Sequence, residues 1–177
     1  MIETDRLLLR RFRDTDKDSF ALMNRDPAVM EFFPALLSRV ESDALVDRID
    51  AHWAEHGIGL WAVEIRASGE FIGYVGLAVP RFSVHFTPCV EIGWRLDAGH
   101  WGEGLATEGA RAVVRYAFEV LGLPEIVSFT VPDNLRSRRV MEKLGMTHDA
   151  EDDFDHPLLP AGHPRRRHVL YRLKRTL

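Results

Sequence analysis

The order of apolar and polar residues predicts one strand and two helices in the first third of the chain. Residues 6–12 place three leucines among arginines, which is typical of a short strand. Asp14 and Asp16 offer N-cap chemistry for a first helix. Ser42 is predicted to open a second helix, which ends at Gly57. The apolar residues at helical spacing are Phe20, Ala21 and Met23 in the first helix and Leu45, Ile49 and Trp53 in the second.

The middle of the chain predicts three strands and a long helix. Residues 60–65 and 71–78 flank a turn at 67–69 and are predicted to form a hairpin, and residues 89–96 form a third strand. The helix that follows has one apolar face, and Gly122 ends it. The residues of that face are Ala106, Ala110, Val113, Val114, Ala117, Phe118 and Leu121.

The last third predicts a strand at 126–131, a helix at 135–144 and two strands at 146–154 and 168–173, separated by a long loop. The element order is therefore β-α-α-β-β-β-α-β-α-β-β. This order predicts a mixed α/β (α+β) fold in which helices pack on one sheet. At 177 residues, the chain is expected to form a single domain, residues 1–177.

Composition narrows the class of protein. The chain is 46% hydrophobic and 28% charged, values typical of globular domains, and its net charge of −4 is unlike that of proteins that coat nucleic acid. No run approaches the ~20 apolar residues of a membrane span, and the charged N-terminal stretch is unlike a signal peptide. The single cysteine, Cys89, has no partner for a disulfide within the chain. We expect a cytoplasmic protein that binds neither nucleic acid nor a membrane.

A glycine-rich loop lies between the third predicted strand of the middle region and the long helix. Gly99, Gly102 and Gly104 allow the backbone to approach a ligand closely, and the helix N-terminus adds a partial positive charge. This combination favours a phosphate or pyrophosphate site. The spacing matches neither the dinucleotide-binding fingerprint nor the Walker A motif. A tight turn without a ligand is the alternative interpretation.

Three longer motifs follow one another along the chain. They are V-E-I-G-W-R-L at 90–96, H-W-G-E-G-L-A-T-E at 100–108 and V-P-D-N-L-R-S-R-R-V-M-E-K-L-G-M at 131–146. By these motifs the sequence resembles the GNAT superfamily of N-acetyltransferases, and T-D-R-L-L-L-R at 4–10 resembles the start of its ribosomal-protein N-acetyltransferase branch. The resemblance implies a mixed, mostly antiparallel sheet of about seven strands with a V-shaped splay, flanked by about four helices.

The resemblance also implies acetyl-CoA as co-substrate. In that family the pantetheine arm lies along the splayed strand and an asparagine bonds to it, while the glycine loop binds the pyrophosphate. Thr107 would add its hydroxyl to a phosphate. Trp101 departs from the family's usual Gln or Arg. The implied cofactor-binding residues are Ile92, Gly93, Trp94, Gly102, Glu103, Gly104, Leu105, Ala106, Thr107 and Asn134.

Acetyl transfer to an amine needs a base, because an unperturbed alkylamine has a pKa of ~10.4. Glu91, on the strand that the cofactor would follow, is one candidate; Asp155 and His156, near the place of the base carboxylate in the ribosomal-protein branch, are the others. Each has a simpler alternative, a strand ion pair for Glu91 and a solvated loop for the other two. The resemblance assigns Ser137 to protonation of the leaving thiolate, since Met141 occupies the place where many relatives have a tyrosine.

These observations predict transfer of an acetyl group to a primary amine by direct attack in a ternary complex. The acceptor is a protein N-terminal amine or a small amine, and net acidity slightly favours a cationic one. A covalent route through Cys89, a non-catalytic acyl-CoA sensor and a donor such as succinyl-CoA are the alternatives. A homodimer through an exposed sheet edge is compatible with the sequence. No metal is expected, because no zinc spacing is matched by His148, Asp152, Asp153, Asp155, His156 and His163.

Overall fold

One mixed sheet organises the molecule. The computed structural model describes residues 1–175. Nine strands pair in the order β1-β2-β3-β4-β5-β6-β9-β7, with β8 pairing with β9. The strands are β1 (Ile2–Glu3), β2 (Leu7–Arg10), β3 (Leu60–Ile65), β4 (Phe71–Ala78), β5 (Glu91–Leu96), β6 (Glu125–Thr130), β7 (Thr147–His148), β8 (Phe154–Asp155) and β9 (Arg167–Lys174).

The strand pairing confirms the expected fold class. Among the described strands all neighbours are antiparallel except β5 and β6, which are parallel because a helix connects them. The strand number exceeds the expected seven by two, because β1 was not predicted and the strand predicted at 146–154 is divided into β7 and β8. The sheet therefore consists of a long antiparallel part from β1 to β5 and a second part around β9.

Four α-helices cover the two faces of this sheet. They are α1 (Lys17–Arg25), α2 (Arg39–His56), α3 (Leu105–Arg115) and α4 (Leu135–Lys143). α3 packs closely on β4, where Gly109 lies opposite Val75. Tyr74, which precedes Val75 in β4, packs with Phe20 of α1 and Val46 of α2. Since successive strand residues point to opposite faces, α3 lies on one face and α1 with the start of α2 on the other.

Several predicted boundaries were wrong. α2 begins after Ser38, whose hydroxyl accepts from the N–H of Glu41, while Ser42 is buried inside the helix and bonds to Asn24. Ser38-x-x-Glu41 is a capping box, and this motif rather than Ser42 determines where the helix begins. The strand predicted at 89–96 begins at Glu91.

The strand predicted at 146–154 does not form as one piece. A short 3₁₀ turn, Ala150–Asp152, separates β7 from β8 because the side chain of Asp149 accepts from the N–H of Glu151. This local bond competes with strand pairing. Within residues 1–175, no helix combines the length and apolarity that crossing a bilayer requires.

Candidate active site

The two edges of β5 differ, and the difference opens a cavity. Six residue pairs join β5 to β4, from Gly73 opposite Leu96 to Ala78 opposite Glu91, whereas a single pair, Glu91 with Val127, joins β5 to β6. The N–H of Val127 donates to Val90 O at 2.9 Å, and the strands then diverge.

A side chain takes the place of a backbone bond where the strands separate. Ser128 follows Val127, the last residue of β6 that bonds to β5 through its backbone. The Oγ of Ser128 donates to Ile92 O at 2.9 Å. Beyond this point Gly93 and Trp94 on β5 face Phe129 on β6 across a cavity of about 790 Å³. An unpaired strand edge presents N–H and C=O groups to any extended ligand. This part of β5 is therefore suited to bind an extended chain by backbone hydrogen bonds.

The N-terminus of α3 forms another wall of the same cavity. Its N-cap is Gly104, with φ of 81°, and no side chain caps the helix. Gly102 has φ of 82°, so both glycines adopt the left-handed conformation that other residues adopt at a cost. The first N–H groups of a helix have no intrahelical partner. An uncapped N-terminus that faces a cavity is suited to bind an anion such as a phosphate.

Thr4 and Arg6 bind to the glycine loop and to the first turn of α3. These contacts were not predicted from the sequence. Thr4 Oγ1 donates to Glu108 Oε1 at 2.6 Å, and Arg6 Nε donates to Glu108 Oε2 at 2.7 Å. Arg6 Nη1 also donates to the carbonyl of Glu103 at 3.0 Å. Burial would raise the pKa of Glu108, but these hydrogen bonds outweigh burial and lower it. The sequence signal for these contacts is the Thr-x-Arg of the N-terminal motif together with the glutamate that ends the glycine motif.

Asn134 and Ser137 both line the cavity at the start of α4. Asn134 Oδ1 accepts from the N–H of Ser137 at 3.2 Å, and its Nδ2 donates to Thr130 Oγ1 at 2.9 Å. Asn134 is therefore the N-cap of α4. Met141 lies one helical turn further on, and it is buried and also lines the cavity.

Glu91 is a carboxylate in the wall of the cavity. Among residues 1–175 no cationic side chain lies within ion-pair distance of it, so the structure does not support the strand ion pair that the sequence left open. Its Oε1 lies 3.9 Å from the position that a Cβ on Gly93 would occupy. Protein surrounds the carboxylate except towards the cavity, and this burial raises the pKa of Glu91 to about 8. Such a pKa is suited to a general base near neutral pH.

The two other candidate bases are adjacent at the end of β8, but their side chains have different surroundings. His156 lines the cavity, with its ring centroid 4.7 Å from that of Phe82 and 5.1 Å from that of His168. Burial and the neighbouring His168 lower the pKa of His156. Asp155 is exposed outside the cavity lining, where it forms ion pairs with Arg166 at 3.3 Å and Arg167 at 3.6 Å.

The structure thus brings most of the predicted site residues to one cavity. Ile92 is buried beneath it, and Glu103 faces solvent with its carbonyl bonded to Arg6. Burial raises the pKa of Cys89 to about 11, so its reactive thiolate is scarce at neutral pH. The predicted residues that line the cavity are Glu91, Gly93, Trp94, Gly102, Gly104, Leu105, Ala106, Thr107, Asn134, Ser137 and His156.

Other residues of the cavity wall were not predicted from the sequence. Arg95 and Tyr74 line it from β5 and β4. Arg95 follows Glu91 and Gly93 at strand spacing, and this alternation was the available signal. In the part of the chain that the structure describes, no three His, Cys, Asp or Glu side chains are grouped so as to hold a metal ion.

Comparisons with known proteins agree with this geometry. The sequence profile of the family described as "Acetyltransferase (GNAT) domain" matches residues 6–147. The uncharacterized protein YkkB of Bacillus subtilis is 34% identical over 144 residues, which cover 81% of this chain and 83% of YkkB. The FsC-acetyl coenzyme A-N(2)-transacetylase of Aspergillus fumigatus is 45% identical over 96 residues, covering 52% of this chain and 40% of that protein.

A solved structure shares the whole fold. The crystal structure of an acetyltransferase from Agrobacterium tumefaciens superposes with a TM-score of 0.78 at 30% sequence identity, covering 98% of this chain and 94% of that one. The open edge of β5, the uncapped N-terminus of α3 and the matched profile all indicate the same family. The chain belongs to the GNAT acetyltransferase family.

Proposed function

We propose that the protein transfers an acetyl group from acetyl-CoA to a primary amine by direct attack in a ternary complex. The observation that carries this proposal is one cavity that joins an open strand edge, an uncapped helix N-terminus and a carboxylate of raised pKa. The family membership supplies the donor class. The name of the Aspergillus relative, which acts with acetyl coenzyme A, supports the same donor.

The cavity suits the parts of acetyl-CoA. The N-terminus of α3, with Gly102, Gly104 and the hydroxyl of Thr107, would bind the pyrophosphate. The backbone of Gly93 and Trp94 would bind the pantetheine arm as an added strand. Asn134 keeps acceptor capacity on its Oδ1 for the same arm, because a carbonyl oxygen carries two lone pairs.

The amine attacks the thioester carbonyl, so that a C–N bond forms and the C–S bond breaks. Glu91 is the proposed base, because its pKa of about 8 allows it to accept the proton that the amine loses. A backbone N–H of β5 would donate to the tetrahedral oxyanion. Ser137, which lines the cavity at the start of α4, would donate a proton to the departing thiolate and regain one from solvent.

His156 is the second candidate base. Its lowered pKa keeps the ring neutral at pH 7, so that a nitrogen is free to accept a proton. The raised pKa of Cys89 argues against a covalent route. The absence of a second cysteine and the thioester donor support a reducing, cytoplasmic setting as part of the proposal.

Calorimetric titration with acetyl-CoA tests the donor site. We expect Gly104→Val to weaken binding by about tenfold or more, because valine strains the left-handed backbone that orients the first N–H groups of α3. Gly69→Val is the matched control, since Gly69 also has positive φ, 73°, but lies in the β3–β4 turn away from the cavity. The control should bind as the unmodified protein does.

Release of free CoA thiol with a panel of amines tests the reaction. Thiol release that depends on both acetyl-CoA and an amine supports the proposal. Saturable binding without transfer to any amine would indicate a sensor rather than an enzyme. A preference for succinyl-CoA would change the donor, and no binding of either thioester would overturn the proposal.

A further inference from the structure

Arg95 is a buried cation without a carboxylate partner. It is 8% exposed. Its Nη1 donates to Asn24 Oδ1 at 2.6 Å, while its buried Nε has no hydrogen-bond partner. Within residues 1–175, no Asp or Glu lies within ion-pair distance of it, whereas buried Arg10 pairs with both Asp16 and Glu64. Buried guanidinium groups are normally paired, so the surroundings of Arg95 are incomplete as they stand.

The guanidinium belongs to the wall of the cavity and is held in place. Arg95 lines the cavity, with its Cζ 3.9 Å from the ring centroid of Phe33 and 5.3 Å from that of Tyr74. Two aromatic contacts and the bond to Asn24 orient the planar group without neutralising it. A fixed, planar guanidinium binds a carboxylate through two parallel hydrogen bonds.

Arg95 lies on the acceptor side of the proposed reaction. Glu91, Gly93 and Arg95 occupy alternate positions of β5 and therefore share one face. This is the face that α1 covers, opposite the face on which α3 packs, since Tyr74 pairs with Arg95 and contacts Phe20. At a rise of ~3.3 Å per residue, the Cα atoms of Glu91 and Arg95 are ~13 Å apart.

The charged side chains that line the cavity favour an acceptor that carries an anionic group over an acceptor that carries further cationic groups. Glu91 is the one carboxylate that lines the cavity among the described residues. A polyamine acceptor would need several carboxylates, and the described wall offers cations instead. The cationic side chains of the lining are Arg95, Arg136, Arg139, Lys143 and Arg165.

We propose that Arg95 binds a carboxylate of the acceptor, so that the amines acetylated by this protein are amino acids. This inference rests on the proposed function and names its substrate class. Phe32, Phe33 and Val29 line the same end of the cavity and favour amino acids with apolar side chains. The net charge of −4 belongs to the whole chain and is not repeated at this wall.

The experiment compares each amino acid with the amine that lacks its carboxylate. The pairs are phenylalanine with phenethylamine and leucine with isoamylamine, and kcat/KM is measured by thiol release. We expect the amino acids to be preferred by about tenfold to a hundredfold, the range for hydrogen bonds to charged groups. Arg95→Gln should abolish the preference, mainly through KM, and leave the Kd for acetyl-CoA unchanged. Arg95→Lys should restore part of it.

Arg136→Gln is the matched control. It also removes a cation from the cavity wall, but Arg136 already pairs with Glu31 at 2.7 Å. The ratio of kcat/KM for the amino acid to kcat/KM for the amine should be the same in this variant as in the unmodified protein. A purely structural role of Arg95 would instead lower kcat/KM for both members of a pair alike, and that result would overturn the inference.

A measurement on the unmodified protein covers the case in which Arg95→Gln does not fold. We expect 3-phenylpropionate to compete with the acceptor at about tenfold lower concentration than 3-phenylpropionamide, because only the former is anionic. Equal inhibition, or transfer to amines without any preference for a carboxylate, would overturn the inference and leave the proposed function standing. Failure to bind acetyl-CoA would instead overturn the proposed function.

Discussion

Along one edge β5 pairs with β4 at every residue from Glu91 to Leu96, whereas along the other edge it pairs with β6 only at Glu91. The first edge holds the fold together, and the second remains available to a ligand. The same six residues serve both purposes because backbone groups of a strand point alternately to its two sides. A site for an extended ligand therefore arises where two neighbouring strands part, without an insertion or a special loop.

Two side-chain hydrogen bonds lie at the point where the strands separate. The Ser128 hydroxyl bonds to Ile92 O in place of a backbone N–H, and Asn134 holds Thr130 towards α4. Both bonds act on β6, just after its single pair with β5. The paired edge has no such interruption between Gly73 and Ala78. Substitutions near the open edge test this contrast between the two edges.

The largest effect is expected from Glu91→Gln, which removes the proposed base from the start of the open edge. General-base catalysis contributes about 10²- to 10⁴-fold, so kcat should fall by about that much. The pKa of about 8 means that the ionised, proton-accepting form grows as pH rises towards that value. The rate of the unmodified protein should therefore rise with pH and show an inflection near pH 8.

The pH profile of the variant provides the check. Deprotonation of the amine also raises the rate with pH, so Glu91→Gln should keep a gradual rise but lose the inflection near pH 8. An inflection that persists in the variant would transfer the role to another group, with His156 as the first to test.

A smaller loss is expected from Gly93→Val, which adds a side chain on the face of β5 that bears Glu91, next to the open edge. The nearest atom to a Cβ at this position is Glu91 Oε1 at 3.9 Å, so the fold has space for a side chain. Valine favours strands, but its methyl groups would displace the bound thioester, and displacements of this kind lower rates by about 10²-fold. Thermal unfolding should stay within a few degrees of that of the unmodified protein, and a large drop in Tm would contradict this account.

Ser128→Ala tests what holds the strands at the point of separation. Ser128 is 2% exposed, and its loss leaves Ile92 O without a partner. An unsatisfied buried carbonyl costs about 1–3 kcal/mol, so the free energy of unfolding should fall by that amount in urea denaturation. Thr147→Ala, an exposed hydroxyl on β7, should change it by less than about 0.5 kcal/mol.

The smallest effect is expected from Asp155→Asn. The carboxylate is exposed and pairs with two arginines outside the cavity lining, so the rate should stay within about twofold. His156→Gln, one residue further on, should lower the rate more, because His156 lines the cavity. A tenfold loss in Asp155→Asn would place the base on β8 after all.

The parts of the fold and site that depend on local pattern were predictable. The apolar face of α3, the glycine loop before it and the N-cap at Asn134 each follow from a few neighbouring residues. The start of α2 was also predictable, since Ser38 and Glu41 form a capping box that is visible in the sequence. Motif order then indicated the family.

Contacts between distant parts of the chain were not predictable in the same way. Ser128 and Ile92 are 36 positions apart, and nothing in either neighbourhood indicates their bond. Arg95 resembles an ordinary strand arginine until the loop that carries Phe33 covers it. Asp155 and His156 are adjacent, and only the pairing of β8 with β9 decides which of them faces the cavity.

The position of β9 has a consequence for the order in which the molecule assembles. Residues 167–174 lie inside the sheet, between β6 and β7, and not at its margin. Since β6 pairs with β5 at one residue only, β9 provides nearly all of its backbone pairing. During synthesis β6 must therefore wait for the chain that follows it by some forty positions before it gains a stable neighbour. The cavity of the candidate active site is therefore completed only after residues 167–174 have been made.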